Sequence, residues 1–348
     1  MSPGAVTTSQ AARDLVAATP FDPALMPGAR GAIAHCLAVQ ADQQVAIISE
    51  PELGAIAAAL MRAAEDLGAR TVVYLVNGAQ AEIERYAVRV AERVAECDAS
   101  VLLATVHGLA TSFRRRIIHA GGEKRRHAHM VGVTEPMMLQ GMRADYEEVQ
   151  VEGQRLASVL ARGSKLTVTS VTGTELEVKL DRACRWHNAC GLIAPGTWGN
   201  LPGGEVYTAP GGVDGVLCPD GGVWLPDGSE LGRGGRLHLV FEGGSLVRVE
   251  GKEADAAQRL LAIADDAPNG RRVGQVGFGT NVAVVTPIGA LLQDLKMPGF
   301  HLALGETYRE HTGAGWASPI EIPLLLRRAD VMLGGESLMV RGRYMFNT

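Results

Sequence analysis

Two spacings of apolar residues alternate along the first half of the chain. Residues 45–49 form a compact apolar run, after which Ser49 and Glu52 stand at capping-box spacing and an alanine-rich stretch, 53–67, runs to Gly68. That order predicts strand, capped helix and stop, because a hydroxyl three residues ahead of a carboxylate satisfies first-turn amides and glycine ends the last turn. The same pattern predicts strands over 71–76, 100–105 and 128–134, a helix over 79–97, and a closing helix over 145–162. Strands separated by helices pair in parallel through right-handed crossovers. Residues 1–163 are therefore expected to form an α/β, doubly wound, Rossmann-like domain, with the first twenty or so residues loose.

The period changes near Ser164. Residues 165–171 and 175–180 alternate apolar and polar positions around Gly173-Thr174, a hairpin signal. Glycines then crowd residues 191–251, which suits tight turns between strands and not helices. One helix is predicted over 252–264 and a strand over 273–279. Residues 164–348 are thus expected to be a glycine-rich, mostly β, α+β domain, and the candidate chemistry falls there.

Composition narrows the function classes. The 348 residues are 47% hydrophobic, enough for two cores, and carry a net charge of -5. A dominant basic field is absent, so nucleic acid is not an expected partner. No apolar run approaches the thickness of a bilayer, and no membrane partner is expected. Five cysteines without a CxxC pair indicate neither a disulfide framework nor a thiolate zinc site, which points to a reducing cytoplasm. The basic runs 114–116 and 124–126, ending on His127, are read as a solvated helix face and loop in preference to an anion-binding lip.

Three side chains in the second half bear chemistry. Glu205 follows a glycine-rich turn at the head of a short β segment, where a fixed backbone suits a carboxylate to metal ligation or base catalysis. His301 opens the apolar run 301–305, and Tyr308 follows seven residues later. Imidazole is the commonest metal ligand type, although a lone histidine on an apolar strand is more often a satisfied core residue. Trp186 and His187 lie in a polar loop where they could line a substrate pocket, with a packed domain interface accounting for Trp186 equally well, and Glu306 and His311 flank Tyr308.

The run Gly204-Glu205-Val206-Tyr207-Thr208-Ala209-Pro210, the segment Gly277-Phe278-Gly279-Thr280-Asn281, and the stretch from Lys296 through His301 to Gly305 together resemble the aminopeptidase T and aminopeptidase S family of metallo-aminopeptidases. The resemblance implies a pair of divalent cations held by two glutamates, two histidines and an aspartate, with a tyrosine beside them, in a protein that is typically a dimer. Glu205, His301 and Tyr308 match three of these positions. The second glutamate is replaced by Gln275, and a Ser-x-x-His-x-Asp motif by Ser318-Pro319-Ile320-Glu321-Ile322-Pro323. A neutral amide is a weaker ligand than a carboxylate, and proline offers none. At most one divalent cation, zinc, manganese or iron, is expected on Glu205, His301 and Glu321, or none at all.

The tail from Ile322 also resembles iron-dependent 2,5-dihydroxypyridine dioxygenases, whose iron ligands correspond to Gln275, Glu321 and Pro323. The leading expectation is a hydrolase of an amide, peptide-like or small cyclic amide substrate. Glu205, Tyr308 and Glu321 would be catalytic, and Gln275, Trp186 and Ser318 would contact substrate. The alternatives are a binding protein that has lost its chemistry and, third, a ring-cleaving dioxygenase.

Overall fold

The computed structural model describes residues 6–8, 10–78, 80–251 and 253–345. By its internal contacts the chain forms two compact units, Met1–Gln150 with Gly191–Gly203 and Ala283–Asp294, and Val151–Cys190 with Gly204–Val282 and Leu295–Thr348. A single cut at residue 163 therefore does not describe it. The Tyr146–Leu160 helix carries the chain from one unit into the next, and the first unit takes back two later segments.

The first unit holds a six-stranded sheet in the order Val6–Thr8, Arg70–Val76, Gln44–Ser49, Ala99–Ala104, Arg126–Val131, Trp198–Asn200. All pairings are parallel except that of Val6–Thr8, which runs antiparallel at one edge. The parallel α/β core is as the spacing predicts, and the last strand explains why residues 191–203 return to it. Helices Gly54–Asp66 and Gln80–Ala95 follow their strands as expected; Ala79, where the second was predicted to begin, lies outside the described residues.

Local details differ from the sequence reading. Ser49 ends its strand and its hydroxyl donates to the Glu50 carbonyl, so it caps nothing. The helix is entered through a 3-10 turn at Pro51–Leu53 without a side-chain cap. Residues 10–18 form a helix that buries Ala12 and Val16, where a loose start was expected. Arg125, Arg126 and His127 are buried and not solvated. Arg125 donates to the Ile117 and Ile118 carbonyls at 2.7 and 2.8 Å and to the Ser100 hydroxyl, tying the end of the Thr111–Ile118 helix to the sheet. Arg115 and Arg116, by contrast, are exposed.

The second unit is built from two antiparallel sheets. One has eight strands and includes the predicted hairpin, Lys165–Thr169 with Glu175–Leu180. The other has seven, in the order Glu230–Leu231, Val223–Trp224, Glu321–Leu326, Gly299–Gly305, Val273–Gly279, Glu205–Thr208, His187–Ala189. Their shared apolar core takes Val206, Val276, Phe278, Phe300, Leu302, Leu304, Ile322 and Leu324 from the seven-stranded sheet, and Leu260 from the helix Ala254–Asp265. The start predicted for that helix, Lys252, lies outside the described residues. Side chains alternate across a strand, so burying this set turns Glu205, Tyr207, Gln275, His301, Glu321 and Pro323 to the opposite face. Among the described residues no helix is long and apolar enough to cross a membrane.

Replacing Arg125 with Met leaves the Ile118 carbonyl and Ser100 without the guanidinium donor and the Ile117 carbonyl with backbone amides alone, and should cost about 2 kcal/mol of stability. Changing exposed Arg115 and Arg116 to Gln should cost less than about 0.5 kcal/mol. Urea unfolding midpoints of the variants measure both; equal midpoints would mean that the buried guanidinium contributes nothing net.

Candidate active site

Strand register assembles the site. Tyr207 pairs with Gly277, which pairs with His301; Glu205 pairs with Gly279; Gln275 pairs with Ala303, which pairs with Pro323; and Gly305 pairs with Glu321. Directly paired residues share a face, so the polar side chains converge above a floor of glycines. Gly277 is required there: a Cβ at this position would lie 2.2 Å from His301 Nε2.

Glu205 is 5% exposed and fully engaged. Its Oε1 accepts from His301 Nε2 at 2.9 Å, which fixes the Nε2–H tautomer, and its Oε2 accepts from the Lys296 ammonium. Burial works to raise this carboxyl, but the Lys296 charge and the hydrogen bonds of His301 and Lys296 outweigh it and hold the pKa at about 2. A carboxylate so stabilised is a poor base. The water-activating role expected of Glu205 gives way to that of a charged anchor for His301 and Lys296.

Glu321 behaves in the opposite way. Its Oε1 accepts from Gln275 Nε2 at 3.1 Å and its Oε2 from the Tyr308 hydroxyl at 3.0 Å. Burial and the negative charge of Glu205 raise its pKa above the ordinary carboxylate value. The neighbouring Glu321 charge, followed by burial, pushes Tyr308 well up. Tyr308 has left-handed backbone angles, φ 46° and ψ 63°, uncommon for a bulky residue. The Glu306 carboxylate holds it there by accepting from the Thr307 and Tyr308 amides, both at 2.9 Å.

A second polar group adjoins the first. The Tyr207 hydroxyl shares a 2.6 Å hydrogen bond with His311 Nδ1. The His311 ring stacks on His187 with centroids 4.0 Å apart and planes 9° apart, and Tyr308 lies 5.8 Å from Tyr207. Burial lowers both imidazoles, His187 to about 4 with His311 contributing, so both are neutral at pH 7.

The predicted residues thus divide. Glu205, His301, Gln275, Glu321 and Tyr308 lie on one face, whereas two do not join them. Trp186 packs on the apolar core of the second unit itself, with its ring 6.3 Å from Phe278. Ser318 is buried and its Oγ accepts from the Ile320 amide at 3.5 Å, a turn contact. Lys296, only 3% exposed, was not foreseen. Its one signal was its place five residues before His301 in the resembling stretch.

The residues do not fit the metal set implied by the resemblance. Both Glu205 oxygens are taken by nitrogen donors, Gln275 turns its amide N–H and not its carbonyl toward Glu321, and Pro323 supplies no ligand. Among the described residues, no three His, Cys, Asp or Glu side chains gather as a metal-binding group.

The family profile of 2,5-dihydroxypyridine 5,6-dioxygenase (NicX) matches residues 28–285. Among curated protein sequences none matches significantly. Two solved structures share the fold. The 2,5-dihydroxypyridine dioxygenase from Pseudomonas putida KT2440 is 17% identical, with a TM-score of 0.70 over 94% of this chain and 98% of that one. Wild-type AmpT from Thermus thermophilus is 18% identical, with a TM-score of 0.66 over 94% of this chain and 100% of that one. The profile match ends before Lys296, His301, Tyr308 and Glu321.

Removing the Lys296 charge with Lys296→Met leaves Glu205 buried and partly unpaired, and should cost roughly 3–5 kcal/mol at pH 7. The depressed Glu205 pKa contributes stability that is fully present above its unfolded value of 4.5 and is lost as pH falls toward about 2. That contribution is roughly 3 kcal/mol. Urea unfolding between pH 2 and 7 should show the wild type losing stability across that window, while the variant, which already lacks this contribution at pH 7, loses less, so that the gap between them narrows as Glu205 protonates. Identical acid profiles would contradict the ion pair.

Proposed function

The chain belongs to the 2,5-dihydroxypyridine 5,6-dioxygenase family, and on that premise we propose that it is a small-molecule enzyme that works by proton transfer at Glu321 and Tyr308 and not through a metal. The carrying observation is the pair itself. Glu321 is half-buried, raised in pKa, and hydrogen-bonded by Tyr308 and Gln275 at the positions from which the implied metal ligands have been lost. A raised carboxyl facing a phenol is a competent base and acid set. Hydrolysis of an amide-type bond follows as the reaction. Glu321 takes a proton from water as that water attacks the carbonyl carbon, and the proton returns to the leaving nitrogen as the C–N bond breaks, while the Tyr308 hydroxyl, released from Glu321 once that carboxyl is protonated, turns to donate to the developing oxyanion. Glu205, held by Lys296, keeps the His301 N–H fixed beneath them.

A second reading, ring-cleaving dioxygenation, is favoured by family membership and by the shared fold. It requires ligands at Gln275, Glu321 and Pro323 that these residues do not provide together.

Elemental analysis of protein purified without a metal-binding tag, combined with assays of aryl and cyclic amides in a chelator, separates the two. The expected result is less than stoichiometric metal, turnover insensitive to the chelator, and a loss of roughly 10²–10⁴-fold in Glu321→Gln. Because the base must be ionised, kcat/KM should rise with pH through the raised Glu321 pKa. Stoichiometric iron with oxygen consumed on 2,5-dihydroxypyridine would reverse the assignment.

A further inference from the structure

We propose that this site takes a ligand bearing a protonated nitrogen, an amine or a cationic nitrogen heterocycle, which pairs with Glu321 against the aromatic faces of Tyr308, Tyr207, His187 and His311. The inference rests on the reading of Glu321 as an available carboxylate in a metal-free site, and adds the substrate class.

Charge balance is the first observation. On the polar face two carboxylates, Glu205 and Glu321, accompany one ammonium, and Lys296 is already bonded to Glu205. Arg185, at the rim, spends its guanidinium on the His311 and Glu310 carbonyls. Glu321 receives only neutral donors, the Gln275 amide and the Tyr308 hydroxyl, one on each oxygen. Each oxygen keeps a lone pair for a further donor, and a buried carboxylate without a cation gains most from one that arrives with the ligand.

The rings are the second observation. Tyr207 and Tyr308 lie 5.8 Å apart, and the stacked pair of His187 and His311 continues the same surface. Their hydroxyl and ring contacts hold them in place. Both imidazoles are neutral at pH 7 and so do not repel a cation, while tyrosine faces attract one. His187, Tyr308, His311 and Glu321 are all partly accessible. An anionic ligand would instead meet Glu321 directly, with Lys296, the one buried lysine among the described residues, engaged on Glu205.

Isothermal titration of the full chain with benzylamine, benzyl alcohol and benzoate tests this, since the three share size and ring but differ in charge. Benzylamine should bind tightest, and Glu321→Gln should weaken it by at least about tenfold, the loss expected for one charge-assisted hydrogen bond. Glu321→Gln should also raise the unfolding temperature of the unliganded protein at pH 7, because it removes an uncompensated buried charge; this readout also reports whether the variant folds. Benzoate binding as tightly as benzylamine, benzylamine binding unchanged in Glu321→Gln, or no benzylamine binding at millimolar concentration each overturns the proposal. Repeating the titration with a chelator separates the failures. A benzylamine signal that resists the chelator yet survives Glu321→Gln overturns the amine pairing alone, whereas one abolished by the chelator overturns the metal-free reading beneath it.

Discussion

The buried ion pair between Glu205 and Lys296 governs the polar face of the seven-stranded sheet. Taking a carboxylate and an ammonium out of water costs several kcal/mol each, and only close pairing with further hydrogen bonds repays it. The repayment here is specific. Lys296 takes one Glu205 oxygen and His301 the other, and the imidazole reaches that oxygen because Gly277 leaves the floor open. The Lys296 carbonyl in turn accepts from the Asn281 amide at 2.9 Å, so the residue carrying the cation is tied to the end of the neighbouring strand. Any larger residue at 277, or any slip in register between the Val273–Gly279 and Gly299–Gly305 strands, would separate the charges. Local backbone and buried electrostatics therefore specify each other.

What the sequence disclosed about this arrangement follows from range. The Val273–Gly279 strand, the Lys165–Glu177 hairpin and the parallel α/β core rest on alternation, turn chemistry and helix spacing, all local signals, and they appear where those signals put them. Glu205 and His301, with Tyr308 seven residues on, were legible from a carboxylate after a glycine-rich turn and an imidazole on an apolar strand, whereas Glu321 came into view only through the resemblance, in place of the motif histidine. Lys296 was not legible, since lysine in a loop ordinarily keeps its ammonium in water, and only its partner 91 residues away reverses that. The stacking of His187 on His311 was equally hidden, because the two segments meet only through the sheet. Arg125 was misjudged for the same reason: a basic run looks solvated until the helix end that it caps is known.

The residues that hold the fold and those that carry the candidate chemistry occupy opposite faces of one sheet. The apolar face, from Val206 through Phe278 and Phe300 to Leu324, must interdigitate with a second sheet, and packing of that kind tolerates exchange among similar hydrophobic residues without loss of architecture. That accounts for a shared fold at low sequence identity. On the polar face, Gln275 and Pro323, which stand where the resemblance implies carboxylate ligands, are paired through Ala303 and so fall in one row of the sheet.

Two glutamates on that face show how the environment divides labour between identical side chains. Burial alone would raise both. Glu205 has an ammonium and an imidazole N–H on its oxygens, and these carry it to about 2, where it stays ionised and unreactive across the working range. Glu321 has an amide and a phenol, neither bearing positive charge, and burial and the field of Glu205 raise its pKa above the ordinary carboxylate value. A raised carboxyl is the better of the two at accepting and returning a proton. The fixed negative charge of Glu205 is therefore one cause of the raised Glu321 pKa, and the Lys296 ammonium that holds Glu205 ionised offsets part of that rise.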